Sequence, residues 1–180
     1  MSKRIFVSGR PGVGKTTVFF KVINEVKRHG LSVGGFVCPE VRVKGRRIGF
    51  DIIDIRTGRR GRLARLCSME SFSTKPELRV GRYCIIPSEA EDIGVKAIET
   101  AMNYCDIVAI DEIGPMELKV PRLREVIGKA LTSEKTVFAV VHRSIASRYS
   151  TLYKAKLLWI DESNREHIHR EIINLILGHL

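Results

Sequence analysis

Residues 9–17 read GRPGVGKTT, with Gly9, Gly14, Lys15 and Thr16 in the spacing G-x-x-x-x-G-K-[ST]. Before them, residues 3–8 (KRIFVS) make a short apolar run with strand character, and after them Thr17–His29 carries helical spacing. Strand, glycine-rich loop and helix in that order are the context of a phosphate-binding loop, or P-loop. Gly9, Gly12 and Gly14 let the backbone bend so that successive N–H groups converge on phosphate oxygens. The helix behind adds the positive end of its dipole. Lys15 offers a mobile charge to the β- and γ-phosphates, and Thr16 a hydroxyl to Mg²⁺. Pro11 stiffens the loop by fixing its own φ. Arg10, Val13 and Thr17 complete the expected nucleotide-binding run.

A second landmark is Cys105–Asp111, CDIVAID, where a continuous apolar run ends in Asp111 and Glu112. A buried parallel strand reads this way when it delivers acids to its C-terminal end, where open α/β sheets bind ligands. In a chain with a P-loop, Asp111 is the expected Mg²⁺ partner beside Thr16, and Glu112 the residue that directs the attacking water. Ile113 and Gly114 follow within the expected nucleotide site. Glu117 stands close by in sequence, as a first-turn helix acid or a site residue. Further on, KTVFAVV (Lys135–Val141) is another buried strand that ends in His142 and Arg143. The always-charged, forked guanidinium of Arg143 suits a γ-phosphate. His142 reads as structural or surface.

The 180 residues suffice for one domain with a full core. No signal-peptide pattern and no apolar run near the ~20 residues of a membrane span is present, so a soluble cytoplasmic protein is expected. The cysteines at 38, 67, 84 and 105 form no C-x-x-C pair. They are expected to be thiols without zinc, Cys84 and Cys105 serving as small core residues.

Between the landmarks, Thr17–His29 places Val18, Val22, Ile23 and Val26 on one face, with Gly30 as its stop. Val33–Val43, Arg47–Ile55 and Arg60–Leu66 read as three strands of an antiparallel meander, with turns at Lys44–Arg46 and Thr57-Gly58. The meander holds Arg42, Lys44, Arg46, Arg47, Arg56, Arg59, Arg60, Arg62 and Arg65, but only Phe36 and Phe50 as aromatics. Together with the net charge of +11, it suits an anionic partner such as nucleic acid, or a solvated edge that discourages strand pairing. The scarcity of aromatics speaks against stacking on single strands. Ser68–Val80 reads as a loop, and Gly81–Ile86 as a strand. A helix from Pro87 to Asn103 is expected, with Ser88 as N-cap and Glu91 in a capping box. A helix over Val120–Leu131, a short helical connection over Ile145–Tyr153, and a strand over Lys156–Ile160 with Trp159 packed on a helix come next. Asn164 is expected to cap a last helix, Arg165–Leu177, although Asn164 and Arg165 could also meet a base.

The P-loop with DEIGPMEL (Asp111–Leu118) resembles the nucleoside-triphosphatase family typified by thermophile NTPases and the cancer-related nucleoside triphosphatase. GFVCPEVR (Gly35–Arg42), IGFDIID (Ile48–Asp54), VGRYCI (Val80–Ile85), VVHR (Val140–Arg143) and ESNR (Glu162–Arg165) extend the likeness over nearly the whole chain. It departs at Pro115, where the family commonly has a basic residue. The resemblance implies a single α/β P-loop domain over 1–180: a three-layer fold with a mostly parallel sheet flanked by helices, extended by an antiparallel insertion at about 33–66. It implies Mg²⁺-dependent hydrolysis of ATP, GTP, CTP and UTP or TTP to diphosphates, with little base selectivity. Glu40 and Arg42 fall in a matching segment and are second-line site candidates. The alternatives are a kinase for a nucleotide or nucleic-acid end, which would need an acceptor pocket, and a nucleic-acid-binding module with a regulatory nucleotide site. The preferred base and the oligomeric state have no signal in the sequence.

Overall fold

The first strand, β1 (Arg4–Gly9), is buried at every residue after Arg4. Gly14 then turns with φ 106° and becomes the N-cap of α1 (Lys15–Arg28), so the helix begins inside the P-loop. α1 ends at His29, with Gly30 at φ 85° just beyond. The chain continues through β2 (Val33–Val37), β3 (Glu40–Val43), β4 (Arg46–Asp54), β5 (Arg60–Leu66), β6 (Arg79–Val80) and β7 (Tyr83–Ile85). A helical stretch follows as α2 (Pro87–Ala90), a π-turn over Glu91–Val95, and α3 (Lys96–Tyr104). The remainder is β8 (Ile107–Ile113), α4 (Pro115–Leu118), α5 (Pro121–Thr132), β9 (Thr136–Val141), α6 (Ala146–Leu152), β10 (Lys156–Ile160) and α7 (Ile168–Leu177). This computed structural model describes residues 4–67 and 75–178.

The strands form one sheet in the order β10-β1-β9-β8-β2-β4-β5-β7-β6, with β3 paired to β4. β10, β1, β9, β8 and β2 are parallel to one another. From β4 outward the pairing is antiparallel. β9 is buried at all positions, and β8 at all but Glu112, as helices on both faces of a parallel sheet require. On one face lie α1 and α7; Phe19 of α1 stacks on Phe138 of β9 with ring centroids 5.3 Å apart. On the other lie α3, α5 and α6, burying Ile98, Ala101, Leu123, Ile127 and Ala146. This is the three-layer α/β P-loop arrangement. Among the described residues no helix is long and apolar enough to cross a membrane.

Several expectations need correction. Val33–Val43 is two strands, and the first is not part of the meander: β2 runs parallel to β8 inside the main sheet. Gly35 makes this fit possible, since a Cβ there would run into the Ala109 carbonyl and its φ is 120°. β8 does not stop at Asp111 but continues through Ile113. The helix after β7 is capped at Ile86, with Pro87 at its first position and no side-chain cap, so Ser88 and Glu91 form no capping box. The last helix starts at Ile168, and Asn164 lies outside it. Of the expected Ser68–Val80 loop, 68–74 lie outside the described residues, while Pro76–Leu78 form a 3₁₀ turn leading into β6. Finally, Cys67 and Cys84 are joined by a disulfide between the end of β5 and β7, leaving Cys38 and Cys105 as thiols. Their separation of 17 residues carries no spacing signal; the β5–β7 pairing brings them together.

Two expectations test this architecture. Phe138→Ala should cost about 3–5 kcal/mol in urea unfolding, because it empties the contact between α1 and the sheet; a loss below about 1 kcal/mol would deny that stack its anchoring role. Thiol titration of the denatured, unreduced chain should find two thiols, and four after reduction; four before reduction would refute the disulfide.

Candidate active site

The site grows from the C-terminal ends of the parallel strands. β1 pairs with β10 in a register that sets Gly9 opposite Ile160. A Cβ on Gly9 would stand 2.5 Å from the Ile160 carbonyl oxygen, so glycine is needed here for close approach. Ser8 is fully buried, and its hydroxyl donates to the Val141 carbonyl at 2.7 Å, tying the end of β1 to the end of β9. In the loop, Arg10, Pro11 and Gly12 are exposed, whereas the Val13 side chain is buried with the α1–α7 core. Lys15 Nζ donates to the carbonyls of Gly9 and Arg10 at 3.1 and 2.9 Å, which holds the amine across the loop.

Thr16 and Asp111, 95 residues apart, meet directly: the Thr16 hydroxyl donates to Asp111 Oδ2 at 2.7 Å. Burial pushes the Asp111 carboxyl up to about 6, against the pull of the Thr16 hydrogen bond and the Lys15 charge. Glu112, half-buried beside it, is pushed to about 7 by burial and then by the Asp111 charge, with Lys15 opposing. Glu117 of α4 is 4% exposed, and burial followed by the Glu112 charge lifts it to about 8. A Cβ on Gly114 would lie 3.1 Å from both Glu112 Oε1 and Glu117 Oε2, so the two carboxyls flank one glycine. The Cys38 N–H donates to the Asp111 carbonyl at 2.6 Å, which sets its thiol beside the Glu117 carboxyl. Burial, then the charge on Glu117, raises the Cys38 thiol well above its ordinary range. His142 is held beside the Gly114 turn by its N–H to the Ile113 carbonyl and its Nδ1 against Ser144 Oγ at 2.8 Å. Burial, then Lys15 and Arg143, lower its pKa.

A cleft of about 900 Å³ opens beside the P-loop, with Gly12, Arg143, Trp159, Asp161, Ser163 and Arg165 among its walls. Arg143 is therefore on the same side as the loop. Ile113 is buried in the core, so its side chain does not face this space. Thr17 is exposed on the first turn of α1. Glu40 and Arg42 bind each other, and Glu40 also binds Arg47, all within the β3–β4 hairpin. Trp159, expected against a helix, is 47% exposed on the cleft wall.

Residues 4–173 match the family model described as NTPase. The chain belongs to this NTPase family. It is 41% identical to the nucleoside-triphosphatase THEP1 of Sulfurisphaera tokodaii over 97% of this chain and 95% of that protein. It is 36% identical to the nucleoside-triphosphatase THEP1 of Methanocaldococcus jannaschii over 98% and 99%. Among solved structures, the human cancer-related nucleoside triphosphatase superposes with a TM-score of 0.81 at 28% identity, covering 97% of each chain. THEP1 from the hyperthermophile Aquifex aeolicus superposes with 0.77 at 27% identity, covering 96% of this chain and 98% of that one.

Within the NTPase fold, sequence reasoning left Glu117 undecided and took Cys38 only as part of a matching segment. Cys38 carries no spacing signal, because the end of β2 brings it to Asp111 from a distant part of the chain, and Glu117, though close in sequence, is turned back to the end of β8 by α4. A carboxyl whose folded pKa lies above its unfolded value holds its proton more tightly in the folded chain. For Glu117 that contribution is complete below the ordinary 4.5 and is lost as pH climbs toward about 8. Glu117→Gln, neutral at every pH, should therefore gain melting temperature over the parent chain as pH rises from about 5 to about 9. A gap that stays constant across that range would mean the acid is not held protonated.

Proposed function

We propose that this protein hydrolyses nucleoside triphosphates to diphosphates and phosphate, with Mg²⁺ at the site, in the cytoplasm, and with little selectivity among ATP, GTP, CTP and UTP or TTP. The observation that carries the reading is the 2.7 Å contact of the Thr16 hydroxyl with Asp111 at the mouth of the P-loop, with Glu112 next in the chain. A hydroxyl and one carboxylate are the kind of oxygen set Mg²⁺ takes, since it keeps waters and substrate phosphates as its other ligands. Among the described residues no three or more His, Cys, Asp or Glu side chains gather into a metal cage, and Mg²⁺ with phosphates needs none. Thr16 and Asp111 would hold the ion, which when bound supplies charge neutralisation between the β- and γ-phosphates.

The protein's own groups do the rest. The backbone N–H groups of Gly9–Thr16 and the start of α1 receive the phosphate chain. Lys15, already placed across the loop by two carbonyls, moves its charge onto the β- and γ-phosphates. Glu112 orients and deprotonates the attacking water. Arg143, on the cleft wall, steadies charge on the departing phosphoryl group. Positioning and electrostatics account for this class of reaction. The names of the curated relatives, nucleoside-triphosphatases, support the same activity.

Phosphate release from the four triphosphates, with Mg²⁺ and no acceptor, is the test. All four should be hydrolysed at comparable rates. Glu112→Gln should lower kcat by about 10²–10⁴, the usual worth of a general base. Lys15→Ala and chelation of Mg²⁺ should each abolish release. Tight nucleotide binding without release from any of the four would sink the hydrolase reading and favour transfer to an acceptor.

A further inference from the structure

The cleft continues past the phosphate-binding loop to a wall that the reaction does not use. Trp159 is the chain's single tryptophan. It sits on β10 directly opposite Ser8, one residue before β1 opens into the P-loop. Its neighbours Leu158 and Ile160 turn into the core beneath α1 and α7, which leaves the indole on the other side of the strand. There it is half-exposed on the cleft wall, between the loop, Arg143 and Arg165.

The segment beyond it is built to stand still. The Asp161 carboxylate accepts from Ser163 N at 2.8 Å, Ser163 Oγ at 2.6 Å and Asn164 N at 3.1 Å. Asn164 Oδ1 accepts from Asp161 N at 3.0 Å, and Asn164 Nδ2 donates to the Trp159 carbonyl at 2.8 Å. Asn164 thus clamps the backbone of Trp159 rather than capping α7. Asp161 Oδ1, Asn164 Oδ1 and Asn164 Nδ2 are thus engaged within the turn.

We propose that Trp159 is the base-binding platform of this nucleotide site: its indole face stacks on the nucleobase of the bound triphosphate, and the Asp161–Asn164 turn holds it in place. This rests on the nucleoside-triphosphatase reading and gives its low selectivity a physical origin. Every base has a π-face, so stacking holds all four alike, whereas hydrogen bonding to base edges would separate them. Arg165 adds positive charge on the same wall.

The lone tryptophan makes the test direct. Its fluorescence should change saturably when ADP, GDP, CDP or UDP is added, and should stay unchanged with inorganic tripolyphosphate, which engages only the loop. Trp159→Ala should raise KM for all four triphosphates by about tenfold, the loss falling on KM rather than kcat. The same variant should leave inhibition by tripolyphosphate unaltered, and Trp159→Phe, which keeps an aromatic face, should restore most of the affinity. A chain that hydrolyses all four with unresponsive fluorescence and an unchanged KM in Trp159→Ala overturns the platform alone. Fluorescence that responds to the diphosphates while no triphosphate is hydrolysed supports the platform and overturns the hydrolase reading. A KM increase confined to one base would also overturn the proposal, since it would mean edge recognition.

Discussion

The hydrogen bond from Thr16 to Asp111 is the constraint on which the site depends. Thr16 is on the first turn of α1, Asp111 is on β8, and β9 lies between β1 and β8 in the sheet. The two side chains meet only if β1, β9 and β8 are parallel, in register, and end at the same edge. β1 and β9 pair from Arg4 opposite Val137 to Val7 opposite Val140, and β8 and β9 pair from Ile107 opposite Thr136 to Asp111 opposite Val140. The Ser8 hydroxyl on the Val141 carbonyl locks the same alignment at the rim. A slip of one residue along the β8–β9 ladder would turn Asp111 to the opposite face. The buried apolar residues of β8 and β9 thus do more than fill a core: they set the distance between a hydroxyl and a carboxylate.

What the sequence made legible follows from how local each signal is. The P-loop is a contiguous run whose glycines and lysine act within nine residues, and the apolar strand before Asp111 announces its own burial. Both could be read without a partner. Glu117 and Cys38 could not, because their significance lies in meeting across β2, β8 and α4. Trp159 was misread for a related reason. An indole on an apolar strand usually packs inward, but β10 is the sheet's edge and its α1–α7 face is already taken by Leu158 and Ile160. The Cys67–Cys84 bond was missed because a cytosolic chain argues for thiols, and only the pairing of β5 with β7 places the two side by side.

The arginine-rich meander shows how a charge run changes meaning once neighbours are known. Arg42 and Arg47 both bind Glu40, Arg59 binds Asp92, and Arg62 binds Glu89. Arg65 and Arg60 converge on Asp51, which is only 5% exposed. The Arg65 contact, at 2.5 Å, lies between adjacent strands and with Arg60 satisfies an acid that would otherwise be buried unpaired. Much of the run therefore joins the insertion to itself and to the α2–α3 segment. Exposed pairs of this kind contribute little to stability because solvent screens them, so their effect is chiefly to fix strand partners at the far end of a long sheet.

The electrostatics of the site run against those of the molecule. The chain carries +11 overall, yet Asp111, Glu112 and Glu117 are gathered at the end of β8 where Lys15 is the cation that acts on the first two. Burial, rather than mutual repulsion, is the largest cause of the upward shift in all three. Such a cluster is a standing cost to the fold. It is tolerable because Thr16 gives Asp111 a donor and Lys15 gives Asp111 and Glu112 a countercharge. The phosphate-binding loop next to it supplies the opposite field, from backbone N–H groups and the start of α1. Buried carboxyls on one side and a positive loop on the other define a narrow zone in which a strongly anionic phosphate chain is held from the loop side. Groups at its far end, on the wall formed by Trp159 and the Asp161 turn, then face the uncharged part of the substrate.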